Sequence, residues 1–206
     1  MPKPTLLRIG RRFSLSPGSR KYAKQTGEVL LAWNKLHAYL QMLFGHLAFP
    51  TDVETGYAIW HAAKSDATQR AMLRAAVRRL LPPGTPLSAG LEWLIEAAER
   101  LSSHRNDAAH VPVDTSSWSK RLADPDKSLG DPKRVARLTG KEDLGKFYRM
   151  LNADLHHFSE YAIVLGLEMT EPGRYGPLPR SPKLRAVSFP RELKTRRRTV
   201  AAIRSA

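Results

Sequence analysis

Residues 29–47 read VLLAWNKLHAYLQMLFGHL, and this stretch decides the fold. Val29, Trp33, Leu36, Leu40, Leu43 and Leu47 succeed one another at spacings of 4, 3, 4, 3 and 4. That rhythm keeps all six on one face of a helix with about 3.6 residues per turn. Phe49-Pro50 ends the helix, because proline lacks an N–H and its ring clashes with the preceding turn. Working outward, Asp52 or Thr51 caps a second helix through Lys64, and Ser65 or Asp66 caps a third through Leu81, stopped by Pro82-Pro83-Gly84. Ser88 caps a fourth, whose stripe is Leu87, Leu91, Leu94, Ala98 and Leu101 and which Pro112 terminates. A last long helix starts near Lys141 and carries Leu144, Tyr148, Leu151, Leu155, Phe158, Ala162 and Leu165. No segment alternates at period two with β-branched enrichment. The sequence therefore predicts an all-α, up-and-down bundle of four to five helices over residues 27–169. Residues 112–139, rich in Pro, Asp and Ser, read as a long loop or insertion with one helical turn at Val135–Leu138. Within it Trp118, beside Lys120 and Arg121, is a candidate for stacking on a base or for covering an edge of the core.

Charge divides the chain of 206 residues into three parts. Its formal net charge of +15 comes from 34 Lys and Arg against 19 Asp and Glu. Residues 1–26 contain seven basic residues and no acid, and residues 170–206 contain ten basic residues and two acids. The intervening body, 27–169, is neutral. Two basic arms on a neutral body bind polyanions through counterion release, with little sequence preference. Arg11 and Arg12 in the first arm and Arg196, Arg197 and Arg198 in the second are the densest such clusters. The blander role for such arms is solubility. The first arm, Arg-rich and acid-free, also has the composition of an organellar transit peptide. Five prolines between Pro172 and Pro190 make 170–192 extended rather than helical.

Several classes are excluded at this level. With no cysteine there is no disulfide framework, thiolate metal site or cysteine nucleophile. The longest apolar runs are four or five residues, too short to span a membrane, so the expectation is a soluble, cytoplasmic protein. HExxH, P-loop, GxGxxG and GxSxG motifs are all missing. His37, His46 and His61 lack metal-type spacing, and the adjacent His156 and His157 diverge by about 100° on a helix. No metal and no cofactor is expected. Arg70, Arg74 and Arg78, at i, i+4 and i+8 on the third helix, either track a phosphate backbone or form a solvated basic face.

The fourth helix breaks its own rule near its end. Extending its stripe from Leu101 by four places an arginine, Arg105, on the seam, and by seven Ala108. A guanidinium on a bundle seam is costly unless something satisfies it. The next residues continue Asn106-Asp107-Ala108-Ala109-His110, with Val111-Pro112 placing His110 in the last turn, where the helix dipole favours imidazolium. Asn106 and His110 lie about 40° apart around the helix and Arg105 and His110 about 140° apart. One helix alone therefore does not clamp a small ligand between all three. Two copies about a two-fold axis would supply both residue types to a shared cleft.

Arg105-Asn106-x-x-x-His110 at the end of an amphipathic helix resembles the HEPN superfamily, whose signature is an Arg, four to six residues, then a His, often with a polar residue directly after the Arg. The resemblance implies a helical bundle that dimerises through the motif helix. It further implies a metal-independent endoribonuclease of toxin or defence type, with an antitoxin or other protein partner. Arg105, Asn106 and His110 would be its catalytic residues. In that chemistry the RNA's own 2′-OH attacks the adjacent phosphate. His110 takes or gives a proton, Arg105 neutralises the transition state and Asn106 orients His110 or a phosphate oxygen. The products are a 2′,3′-cyclic phosphate and a 5′-OH. The family also contains inactive members, so the alternative is a non-catalytic helical module that binds nucleic acid or a protein partner. In that alternative Arg105 caps carbonyls or pairs with an acid such as Glu28 or Asp107.

Overall fold

The computed structural model describes residues 17–110, 131–139 and 144–185. These form six helices: α1 (Pro17–Ala48), α2 (Val53–Ala62), α3 (Asp66–Leu80), α4 (Pro86–His110), α5 (Pro132–Thr139) and α6 (Leu144–Thr170). Among the described residues there is no strand. No helix among them is long and apolar enough to cross a membrane.

The anticipated stripes are the core. Val29, Trp33, Leu36, Leu40 and Leu43 of α1 are buried, as are Leu91, Leu94, Ala98 and Leu101 of α4 and Leu144, Tyr148, Leu151, Leu155, Phe158, Ala162 and Leu165 of α6. Side-chain contacts fix the chain directions. Tyr22 near the start of α1 donates to the Ala108 carbonyl at the end of α4 (3.2 Å), so these two run antiparallel. Trp93 meets Phe158 edge-on at 5.3 Å and His104 meets Phe147 at 5.3 Å, so α4 and α6 are antiparallel as well. On α3 and α4, Arg78 reaches Glu92 while Asp66 reaches Arg105, the same arrangement again. The order is up, down, up, down, up through α1, α2, α3, α4 and α6, with the short α5 beside the end of α4.

Local chemistry sets most boundaries. Ser65 accepts from the Thr68 amide (3.1 Å) and caps α3, which leaves the carboxylate of Asp66 available to reach across the bundle. Asp52 caps α2 through the Thr55 amide (3.2 Å). Helix α4 begins at Pro86, earlier than a cap at Ser88 requires, because Thr85 Oγ1 accepts from the Ser88 amide (3.3 Å) and Pro86 takes the first helical position.

Three segments differ from the sequence-based expectation. Helix α1 starts at Pro17 rather than at residue 27, so Arg20, Lys21 and Lys24 of the first arm lie on the helix. Its first turns are held by polar residues, Tyr22 and the buried Gln25, which an apolar-stripe criterion does not detect. Helix α5 is longer than the single anticipated turn. Asp131 caps it through the Lys133 amide (2.9 Å), Pro132 occupies the first position, and Val135 and Leu138 are buried. The segment from Glu171 to Arg185 is non-helical as expected, yet it returns along α6. There Leu178 and Leu184 pack on the core and the Arg185 amide donates to buried Asp154 (2.8 Å).

Candidate functional site

Arg105 is where the sequence and the structure meet. Its guanidinium does not project into solvent. It lies at mid-height on the bundle, where α2 ends and α3 begins, and forms an ion pair with Asp66. Its Cζ is 4.9 Å from the centroid of the Trp33 indole, a cation–π distance. Arg70 approaches the same indole at 5.9 Å. The Trp33 Nε1–H also donates to Asp66 (3.3 Å), so one carboxylate collects a guanidinium and an indole from two different helices.

His37, one turn beyond Trp33, stacks near it with ring centroids 4.8 Å apart. Burial pushes the imidazole down to about 4, against the pull of Asp66 and with the repulsion of Arg70 and Arg105 adding to the shift. His37 is therefore neutral at pH 7, and its Nε2, 3.9 Å from Asp66, makes a contact with the carboxylate but not an ion pair. Trp33, His37, Asp66 and Arg105, with Asn34, Gln41, Trp60, His61 and Gln69, bound an open cleft of about 370 Å³, and Arg70 lies outside its lining.

Arg70 is the most constrained cation described, at 4% exposure. Its Nε and Nη1 are buried and make no hydrogen bond among the described residues, and the same holds for Arg105 Nε. Burial lowers the pKa of Arg70, with Asp66 and Glu99 opposing that shift. The other two arginines of the row are engaged. Arg74 pairs with Glu99 (2.9 Å) and Glu92 (3.3 Å), and Arg78 with Glu92 (2.7 Å). The row Arg70, Arg74, Arg78 is thus not a line of unpaired cations along a surface. The acids of α4 sit opposite it because α3 and α4 pack antiparallel, and burial takes its first member out of solvent.

The remaining motif residues occupy other surroundings. Asp107, fully buried, is gripped by both arms of Arg137 from α5 (2.6 and 2.9 Å), and this explains why Asp107 is not the partner of Arg105. Glu28 instead lies 3.9 Å from Lys24. Asn106 is half-buried, and His110 is exposed on the last turn of α4. Among the described residues no hydrogen bond, ion pair or ring contact joins Arg105 to His110 within one protomer. Arg11, Arg12, Arg196, Arg197, Arg198 and Trp118 lie outside the described residues.

Sequence reasoning marked Arg105 and missed its partners. Trp33 was assigned to the core, which is correct at 2% exposure, but its edge and N–H also serve the cleft. Local spacing offers Asp66 only as a helix cap and His37 only as a histidine without metal-type neighbours. The available signal was the pair Trp33 and His37 at i, i+4, which puts an indole and an imidazole on adjacent turns of one helix.

Fold and site together define an all-helical bundle with an aromatic-lined cleft on one flank that holds the Arg105–Asp66 ion pair. No protein-family model matches the chain, and no curated protein and no solved structure matches it.

Proposed function

We propose that this protein is an RNA-binding helical module of HEPN type, which holds the phosphate backbone through its two cationic ends. The observation that carries the reading is the segregation of charge. The whole excess of +15 belongs to residues 1–26 and 170–206. In the body's own arginine row Arg74 and Arg78 are tied to Glu92 and Glu99 and Arg70 is buried, so the row presents little unpaired charge to solvent. Flexible polyanions neutralised at many weak points suit such a distribution better than a rigid single site does.

A second reading adds metal-independent cleavage, and it is favoured by the exposure of His110 at the tip of the helix that carries Arg105 and Asn106. Arg105 and His110 have separate neighbourhoods within a protomer, so this reading requires a homodimer that brings the ends of two α4 helices together. The HEPN resemblance extends it to a toxin or defence role in the cytoplasm, with an antitoxin or other protein partner.

Labelled single-stranded RNA in EDTA separates the two. Salt-sensitive retention of intact RNA supports the binding module. Cleavage to 2′,3′-cyclic phosphate ends that disappears in both Arg105→Ala and His110→Ala supports the nuclease. Failure to retain RNA at low salt overturns both.

A further inference from the structure

Helix α6 is followed by a strap that turns back on it. Gly173 and Gly176, both at positive φ (73° and 83°), make the turn, and the Gly173 amide donates to the Glu168 carboxylate (3.2 Å). From there the chain is fastened to the bundle at regular intervals. Leu178 and Leu184 pack on the core, and between them the Ser181 hydroxyl approaches that of Tyr161. The Arg185 amide closes the strap on the buried Asp154 carboxylate (2.8 Å). Leu178, Ser181 and Leu184 are three apart, and three residues make one turn of a polyproline II helix. One edge of such a helix therefore faces the bundle.

The prolines explain why the strap takes this form. Pro177, Pro179 and Pro182 have their own φ fixed, and Leu178 and Ser181, each preceding a proline, are pushed to extended backbone. Arg180 is the one residue from 177 to 182 with ordinary freedom. Among the described residues no backbone–backbone hydrogen bond involves residues 177–184, so their carbonyls are left to solvent or a partner. Pro177, Pro179, Arg180 and Lys183 are exposed. Residues 172–185 contain no acid, and neither Arg180 nor Lys183 has an ion pair among the described residues.

We propose that residues 177–185 are a preformed polyproline II ligand for a partner protein, one whose groove is lined by aromatic rings and bordered by carboxylates. Proline rings stack in aromatic slots, and Arg180 and Lys183 need acids that the strap itself does not supply. The bundle has already ordered the segment, so association costs less backbone entropy than it would for a free peptide. A sheet edge is not the partner's element, because Pro177, Pro179 and Pro182 lack the N–H groups that strand pairing uses. Nor is the strap suited to a nucleic-acid backbone: Arg180 and Lys183 neutralise few phosphates, and the prolines contribute nothing to them. The assignment is independent of the RNA-binding reading, which draws on the charge of the two chain ends as a whole.

Purified SH3, WW and EVH1 domains, labelled for fluorescence anisotropy and titrated with the full-length protein, test the assignment. At least one is expected to bind with a Kd below about 100 μM. Pro179→Ala and Arg180→Glu are each expected to weaken that binding about tenfold. Both side chains are exposed, so the variants keep the packed core, and an unchanged thermal midpoint checks this. Lys64→Glu makes the same charge change as Arg180→Glu at an exposed position between α2 and α3 and is expected to leave the binding unaltered. No binding by any of the three domains at about 1 mM, an affinity unaffected by Pro179→Ala, or an equal loss in Lys64→Glu overturns the proposal. Single-stranded RNA is the remaining arm. If Arg180→Glu loses RNA while neither strap variant affects the domains, the strap belongs to the RNA and the proposal is overturned. If domain binding follows the variants while RNA is not retained, the strap assignment stands and the RNA-binding reading falls.

Discussion

At the scale of single residues, the chain places an imidazole where water hydrates its charged form poorly. His37 sits between Trp33, Asp66 and Arg105, and burial lowers its pKa to about 4 from the ordinary 6.5. The unfolded chain therefore takes up the proton first as pH falls. Stability contributed by the neutral ring is complete above about pH 6.5 and is lost progressively down to about pH 4, the reverse of a histidine that gains an acidic partner on folding. A shift of this size corresponds to about 3 kcal/mol across the window. Urea unfolding at intervals from pH 4 to 7 is expected to show a steeper decline for the wild type than for His37→Gln. Parallel curves for the two would remove the argument. Arg105 was legible in the sequence because its seam position demanded a partner. The partner was not, because Asp66 lies 39 positions away and only the packing of α3 against α4 brings it near. Sequence spacing reports on neighbours along a helix, and the acids it offered, Glu28 and Asp107, are satisfied by Lys24 and Arg137.

At the scale of elements, apolar rhythm in the sequence marks the helices whose stripes the core buries, and it falls short where polar contacts hold a helix. The rhythm of α1 from Val29, of α4 and of α6 reflects side chains that the core buries, so period and burial coincide. The first ten residues of α1 and most of α5 are anchored differently. Tyr22 reaches the Ala108 carbonyl, and Arg137 grips Asp107. Asp131-Pro132, a cap residue followed by proline at the first helical position, was the readable sign of α5. The Arg137–Asp107 clamp ties α5 to α4 through a carboxylate that is fully buried on one side and a guanidinium that water partly reaches on the other. Arg137→Ala strands that carboxylate and is expected to destabilise the protein by about 2–3 kcal/mol, below the 3–5 kcal/mol of a wholly buried pair because solvent screens the arginine. Asp107→Asn should reduce the penalty of the arginine substitution, and a double-mutant cycle by denaturant unfolding measures that coupling. The junction of α1 and α2 depends on glycines instead. A Cβ on Gly56 would lie 2.8 Å from the Gly45 Cα, a backbone atom that cannot rotate away. Gly56→Ala is expected to force the helices apart and cost about 1–2 kcal/mol net, despite alanine's higher helix propensity, read as a lower midpoint in thermal unfolding.

At the scale of the whole molecule, two electrostatic systems coexist and have to be separated by experiment. One is internal and compact. Asp66, Glu92 and Glu99 hold Arg105, Arg74 and Arg78 inside or against the bundle, and salt affects such partly buried pairs weakly. The other is the unbalanced charge of the chain ends, whose interaction with a polyanion depends on released counterions and hence steeply on salt. Substitution of Arg11, Arg12, Arg196, Arg197 and Arg198 by glutamine in the full-length protein removes five charges and leaves every described helix untouched. For single-stranded RNA, the slope of log affinity against log salt is then expected to flatten by up to about 3.5, at about 0.7 per phosphate neutralised. The same variant is expected to keep the wild-type unfolding midpoint, because every described core residue is left unchanged. Filter-binding titrations between 50 and 300 mM salt, roughly the range over which phosphate contacts lose most of their affinity, measure the slope. An unchanged slope would transfer the RNA contacts from the five substituted arginines to cations on the helices, of which Lys21 and Lys24 on α1 and Arg79 on α3, all at exposed positions, are the next to substitute.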